Sequence, residues 1–241
     1  MKTNTQIGKC WTLAGFCLLV MSGCMGTSKI VKHQEPASSL RLKAIDHHTQ
    51  AEACRLTGME LAAHEKDDHA IAQFKQARKL HPDIEGIAHP LAVLYDRQGR
   101  LDAAQREYER ALEESSRDAD VHNDFGYFLY SRGDHEAART HLERALKLNA
   151  EHSKARINLA MVEAAEGQYD AAFQLFERAL GPAAAHHNIG LLKMRAGDQS
   201  SGLENLKQAS ALDPSLESSA ILEAYYSPTT GSAIMPAGYV Q

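Results

Sequence analysis

The sequence predicts an all-α protein, a solenoid of about five helical hairpins closed by a C-terminal capping helix. Three observations predict it. Apolar residues fall at helical spacing, as at Ala138, Leu142 and Ala145, which share one stripe of a helix. That stripe returns at a period of 34 residues: Ala70, Ala104, Ala138 and Ala172, then Phe74, Tyr108, Leu142 and Phe176, then Ala77, Ala111, Ala145 and Ala179. A second small position, Gly58, Ala92, Gly126 and Ala160, recurs upstream in register, so each unit holds two helices and not one. Small residues let helix axes approach, and the large side chain fills the space left behind. No single hairpin buries its apolar face, so the stack is the stable unit.

Taken in order, the chain opens with a processing segment at 1–23. Lys2 and Lys9 precede an apolar run from Trp11 to Val20, which is short for a membrane span. Met21-Ser22-Gly23-Cys24 then resembles the lipobox of bacterial lipoproteins, although Met21 stands where Leu is commonest. The resemblance implies acylation of Cys24, and Met25 after it implies the outer membrane, facing the periplasm. An uncleaved anchor or an ordinary signal peptide are the alternatives. Cys10 and Cys17 would leave with the signal, so Cys54 is the sole thiol left and no internal disulfide forms. Cys54 reads as a small packing residue.

Residues 24–50 form a polar tether and a leading helix, with Ser38 or Ser39 as its cap. The hairpins occupy 51–84, 85–118, 119–152, 153–182 and 183–216. Between the helices of the third, Gly133 ends one and Asp134 caps the next. In the fourth, Gly181-Pro182 predicts loss of one turn, about 5.4 Å, with local distortion before the fifth. The fifth keeps the order Gly190, Gly197, Gly202, Leu206, Ala209 and Pro214, 30 residues after its counterparts. Residues 217–226 predict the capping helix, with Leu216, Ile221, Leu222 and Tyr225 covering the end of the stack. The Pro-, Gly- and Ser-rich stretch 227–241 predicts a disordered tail.

The order of small, aromatic, small and Pro at this period resembles the tetratricopeptide repeat family. That resemblance implies a right-handed solenoid and a concave face lined by the first helices. Carrying the family's contact positions onto this sequence gives Arg55, Met59 and Ala62, then His89, Val93 and Asp96. It continues with Asn123, Tyr127 and Tyr130, then Lys154, Ile157 and Met161, and last His187, Leu191 and Met194. Asn158 and Asn188 match a family Asn that bonds a ligand backbone. Met59, Met161 and Leu191 read equally well as core. Tyr127 and Tyr130 suit a contact surface better, because a phenol can bury its ring while its hydroxyl finds water or a partner.

Composition narrows the function classes. A net charge of −5 without a basic block argues against a nucleic-acid partner. No nucleophile elbow, phosphate loop or metalloprotease motif is present in the sequence, so no enzyme and no cofactor is expected. The 13 histidines are scattered, and the pairs His47-His48 and His186-His187 diverge by about 100° on a helix. A metal-binding or enzymatic role is the alternative of another class. The chaperone-binding clamps of the family need a Lys and an Asn where Arg55 and Met59 stand, which argues against a cytosolic co-chaperone. Asn123 to Leu129 is similar to the repeat signature of type IV pilotins. Asn158 to Val162 and the short fourth repeat are similar to tight-adherence (Flp) pilus lipoproteins. These resemblances imply an envelope scaffold in pilus or secretion-complex assembly, with an adaptor for cell-wall hydrolases as the alternative.

Overall fold

The computed structural model describes residues 37–226. The chain divides into two compact units, 1–41 and 42–241; of the first, only the opening of a helix at 37–41 is described. The signal segment, Cys24, most of the tether and the tail at 227–241 lie outside the described residues.

Eleven helices account for the regular structure of the described residues. Five hairpins follow one another: α1 (Ala37–Ala63) with α2 (Asp67–Leu80), α3 (Ala88–Arg97) with α4 (Leu101–Glu114), and α5 (Ala119–Ser131) with α6 (His135–Leu148). Then come α7 (Ser153–Ala165) with α8 (Tyr169–Leu180), α9 (Pro182–Arg195) with α10 (Gln199–Leu212), and the cap α11 (Glu217–Tyr226). Among the described residues, no helix is long and apolar enough to cross a membrane.

The periodic positions share one environment. Ala70, Ala104, Ala138 and Ala172 are all fully buried, and Phe74, Tyr108, Leu142 and Phe176 are buried beside them. In three hairpins the large side chain reaches back to a glycine at the small position of its own first helix. A Cβ on Gly58 would lie 2.7 Å from Phe74, and one on Gly126 would lie 2.7 Å from Leu142. Gly190 stands in the same relation to Leu206, at 2.9 Å. These contacts are closer than carbon atoms tolerate, so glycine is what brings the helices together.

Local signals set most boundaries. Gly133 turns the chain at φ 81° between α5 and α6, and Asp134 Oδ1 then accepts from the Ala137 amide at 3.1 Å. In the first hairpin Glu65, with φ 56°, occupies the place that Gly99, Gly133 and Gly167 hold in the next three. Helix α7 has an unusual cap: His152 Nδ1 accepts from the Ala155 amide at 3.2 Å, while its Nε2–H donates to Asp120 at 3.0 Å.

Three expectations need correction, and one helix starts out of register. Helix α1 begins at Ala37, so Ser38 and Ser39 lie within it instead of capping it. Helix α3 starts only at Ala88, three residues late against its repeat register. A start at 85 would place Pro90 in the second turn, where its ring and missing N–H break helical bonding; the later start puts it in the first turn. Helix α8 has 12 residues where α4, α6 and α10 have 14, so about half a turn is lost and not a whole one. The rest comes out of the linker, since Gly181 alone separates α8 from α9, with Pro182 at the first helical position. In the cap, Ile221 and Leu222 pack against Met194, Leu203 and Leu206, but Tyr225 stays exposed and accepts no such place in the core. Ser218 is fully buried there instead.

Candidate functional site

The site is the row of first helices, α1, α3, α5, α7 and α9. Side chains at the same repeat position point along it, and the structure sorts them by what lies on the neighbouring helix. Between α3 and α5, His89 Nε2–H donates to Asp124 Oδ2 at 2.8 Å. Asp124 Oδ1 accepts from Asn123 Nδ2 at 2.9 Å, and Asn123 Oδ1 accepts from Asn158 Nδ2 of α7 at 3.0 Å. A hydrogen-bonded chain thus ties three consecutive repeats together. Both links between helices span 35 residues, one more than the repeat period.

This chain corrects the reading of Asn123, which is 3% exposed and engaged on both sides, so it faces a neighbouring helix and no ligand. Met161 and Met194 are core residues as well, each packed in an apolar cluster. His187 is half-buried and its Nδ1 pairs with Ser218 of the cap at 2.7 Å; burial lowers its pKa. Asn188 turns its amide to the Ala184 carbonyl of its own helix, and Leu191 packs under α11. The cap therefore closes the fifth repeat. Ile157 packs on the cluster of Ala160, Met161 and Ile189. Arg55 is held by Glu52 one turn earlier, at 2.9 Å.

What stays open is the middle of the row and its beginning. Tyr127 is 41% exposed and Met59 is 45% exposed, and Lys154 is exposed. Tyr130 is half-buried, its ring packed against the core and its centre 6.4 Å from that of Tyr127. Burial pushes the Tyr130 hydroxyl upward in pKa, with the Arg195 charge acting in the opposite sense. Asp96, also half-buried on this row, has its carboxyl raised by burial. Two tyrosines, a thioether, one acid and one exposed lysine make a surface suited to an extended peptide with mixed side chains.

Sequence reading missed the polar chain and a second pair. His122 Nε2–H donates to the Ser116 carbonyl at 3.2 Å, so its Nδ1 presents a lone pair to His141 Nδ1–H at 3.0 Å. Burial lowers both pKa values. The two lie 19 residues apart on α5 and α6, a spacing with no helical signature. Among the described residues no group of three or more His, Cys, Asp or Glu is placed to hold a metal ion.

Paired helices stacked in register, with small residues at the crossing points, define a helical-repeat solenoid. Residues 89–141 and 124–188 match the tetratricopeptide repeat family. Solved structures agree in fold. YrrB, a tetratricopeptide repeat protein with an unusual peptide-binding site, is 22% identical over 74% of this chain and 95% of its own, with a TM-score of 0.58. PilW, a widely conserved type IV pilus biogenesis factor, is 21% identical over 73% of this chain and 83% of its own, with a TM-score of 0.59. MamA is 20% identical over 78% of this chain and 98% of its own, at 0.58. No curated protein matches the chain in sequence.

Proposed function

We propose that this chain is a non-enzymatic scaffold that holds an extended segment of a partner protein along its first helices, at the bacterial envelope, during assembly of a pilus or secretion complex. The observation that carries the reading is the Tyr127–Tyr130 pair. Tyr127 stands exposed in the middle of the row, beside polar groups that already satisfy one another. An aromatic surface over a satisfied base can take up apolar side chains without leaving a buried donor unpaired. The peptide-binding site of YrrB and the pilus role of PilW support the two halves of the proposal. The lipobox-like Met21 to Cys24 supports the location, with acyl chains on Cys24 providing the anchor to the outer membrane.

A photo-crosslinking residue at Tyr127 tests the surface against one at Glu143, which is exposed on the second helix α6. Crosslinks to a pilus or secretion component from position 127 and not from 143 are expected. Equal yield from both positions refutes the assignment of the face. A cell-wall hydrolase captured at 127 keeps the scaffold and replaces the assembly. Labelling with a fatty-acid analogue, lost in Cys24→Ala, tests the anchor.

A further inference from the structure

Away from the first-helix row, the turn between α3 and α4 opens onto a cleft of about 500 Å³ lined by Gly99, Arg100, Asp102, Ala103, Arg106 and Arg132. Three arginines from two neighbouring repeats converge on it. Elsewhere the arginines that reach a neighbouring helix do so onto carboxylates: Arg78 on Glu107, Arg97 on Asp67, and Arg139 on Glu163 and Glu166. Among the described residues, Arg100, Arg106 and Arg132 meet no carboxylate at ion-pair distance. Two of them rest on rings. The guanidinium of Arg100 sits 4.4 Å from the centre of Tyr95, and that of Arg132 sits 5.4 Å from the centre of Phe128. A guanidinium stacked on a ring uses its flat face and keeps its N–H edge for other partners. The rings therefore hold the groups in place without occupying a donor. Asp102, the one acid in the lining, lies at the second residue of α4, where the positive helix end favours it. Three positive charges against one negative leave the cleft cationic in a chain of net charge −5.

We propose that this cleft binds a phosphate group. Forked N–H pairs match the oxygens of an oxyanion, and phosphate offers oxygens to guanidiniums on more than one wall. A carboxylate, with two oxygens, satisfies a single fork. Because the cleft lies at the turn between the helices of a hairpin, it leaves the Tyr127 face free and does not depend on a peptide being held there. The phosphate comes either from a soluble ion or ester or from a lipid headgroup.

The test is a titration of the full chain in neutral detergent with sodium phosphate and pyrophosphate at constant ionic strength, read on the arginine Nε–H resonances. Saturable shifts of Arg100, Arg106 and Arg132 are expected, weakened about tenfold by Arg106→Gln or by Arg132→Gln. Both exchanges are at exposed positions, and the helical circular dichroism and melting temperature check the fold. Arg132→Lys keeps the charge and loses the fork, so it should bind less tightly than the parent. Doping the micelles with phosphatidylglycerol, compared with phosphatidylcholine, separates the sources: saturable arginine shifts with the former assign a lipid headgroup, and shifts with the free ions alone assign a soluble phosphate. Shifts that rise without saturating, or that survive the Arg106→Gln, Arg132→Gln double variant, overturn the proposal.

Discussion

Gly126→Ala tests the packing on which the whole stack depends. In an unencumbered helix this exchange stabilises by about 1 kcal/mol, because glycine is the poorer helix former. Here the new methyl group would sit 2.7 Å from Leu142 Cγ, 3.0 Å from its Cδ2 and 3.2 Å from the Ala138 carbonyl oxygen. Cγ is the branch point of a fully buried side chain, and the carbonyl belongs to the backbone of α6, so neither can swing away. The helices must separate or Leu142 must leave its rotamer. Overpacking of this kind costs about 1–3 kcal/mol, and here it falls at the severe end because a backbone atom is one of the obstacles. The net expectation is a loss of about 1–2 kcal/mol, read as a shift of the urea midpoint followed by circular dichroism. Adding Leu142→Ala removes the side-chain obstacle and leaves the Ala138 carbonyl, so the methyl group should cost less in that background, and a double-mutant cycle should show coupling between the two sites. A stabilised Gly126→Ala protein would refute the reasoning, since it would mean that helix propensity, and not axial approach, governs the position.

Three further outcomes are expected. Tyr127→Ala should leave stability within about 0.5 kcal/mol while reducing the partner captured by a photo-crosslinking residue at exposed Lys154, whereas Tyr130→Ala, whose ring packs against the core, should also cost about 1–3 kcal/mol in the same denaturation assay. His122, buried, and His141, half-buried, bind protons less readily when folded than when unfolded, so stability is full above the ordinary histidine pKa of about 6.5 and falls as the pH drops below it, by up to about 1.4 kcal/mol per unit for each group; the His122→Asn, His141→Asn double variant should flatten that slope in pH-dependent urea melts, leaving the share due to His187. Gly133→Ala, at φ 81°, should lose about 1 kcal/mol by the same measurement, and Glu65→Gly, at φ 56°, should be neutral or gain a few tenths.

The repeat framework was legible because packing is repeated. A small residue and a large one must meet in every hairpin, so the requirement prints itself at a fixed period in the sequence. Departures from the period were less legible. Glu65 stands where a glycine is expected, and nothing in its identity signals a left-handed turn. Pro90 could have predicted the late start of α3, since a proline is tolerated in the first turn of a helix and resisted in the second. The polar chain left a trace that repeat alignment passes over. His89 with Asp124, and Asn123 with Asn158, are complementary pairs one residue beyond the period, the offset at which a side chain meets the next first helix. A search at 35 residues finds them; a search at 34 does not. The His122–His141 contact has a counterpart in His186–Asn205 at the same 19-residue offset, a spacing set by how the two helices of a hairpin face each other and not by either helix's own period.

The same distinction explains why family contact positions are only half informative in this chain. A residue at such a position points along the first-helix row, but whether it meets a ligand depends on whether the next helix already satisfies it. His89, Asn123 and Asn158 find partners there, and His187 finds one on the cap. Met161 and Met194 have apolar neighbours close enough to enclose them. Tyr127 stands 41% exposed, its ring beside that of Tyr130 on its own helix. Satisfying the polar residues internally also removes their competing demand for water or for a ligand, so the proposed tyrosine face would discriminate by shape and apolar contact. The inner chain of hydrogen bonds and the outer aromatic patch are thus one arrangement: the first ties neighbouring helices together, and the second is the proposed contact surface above it.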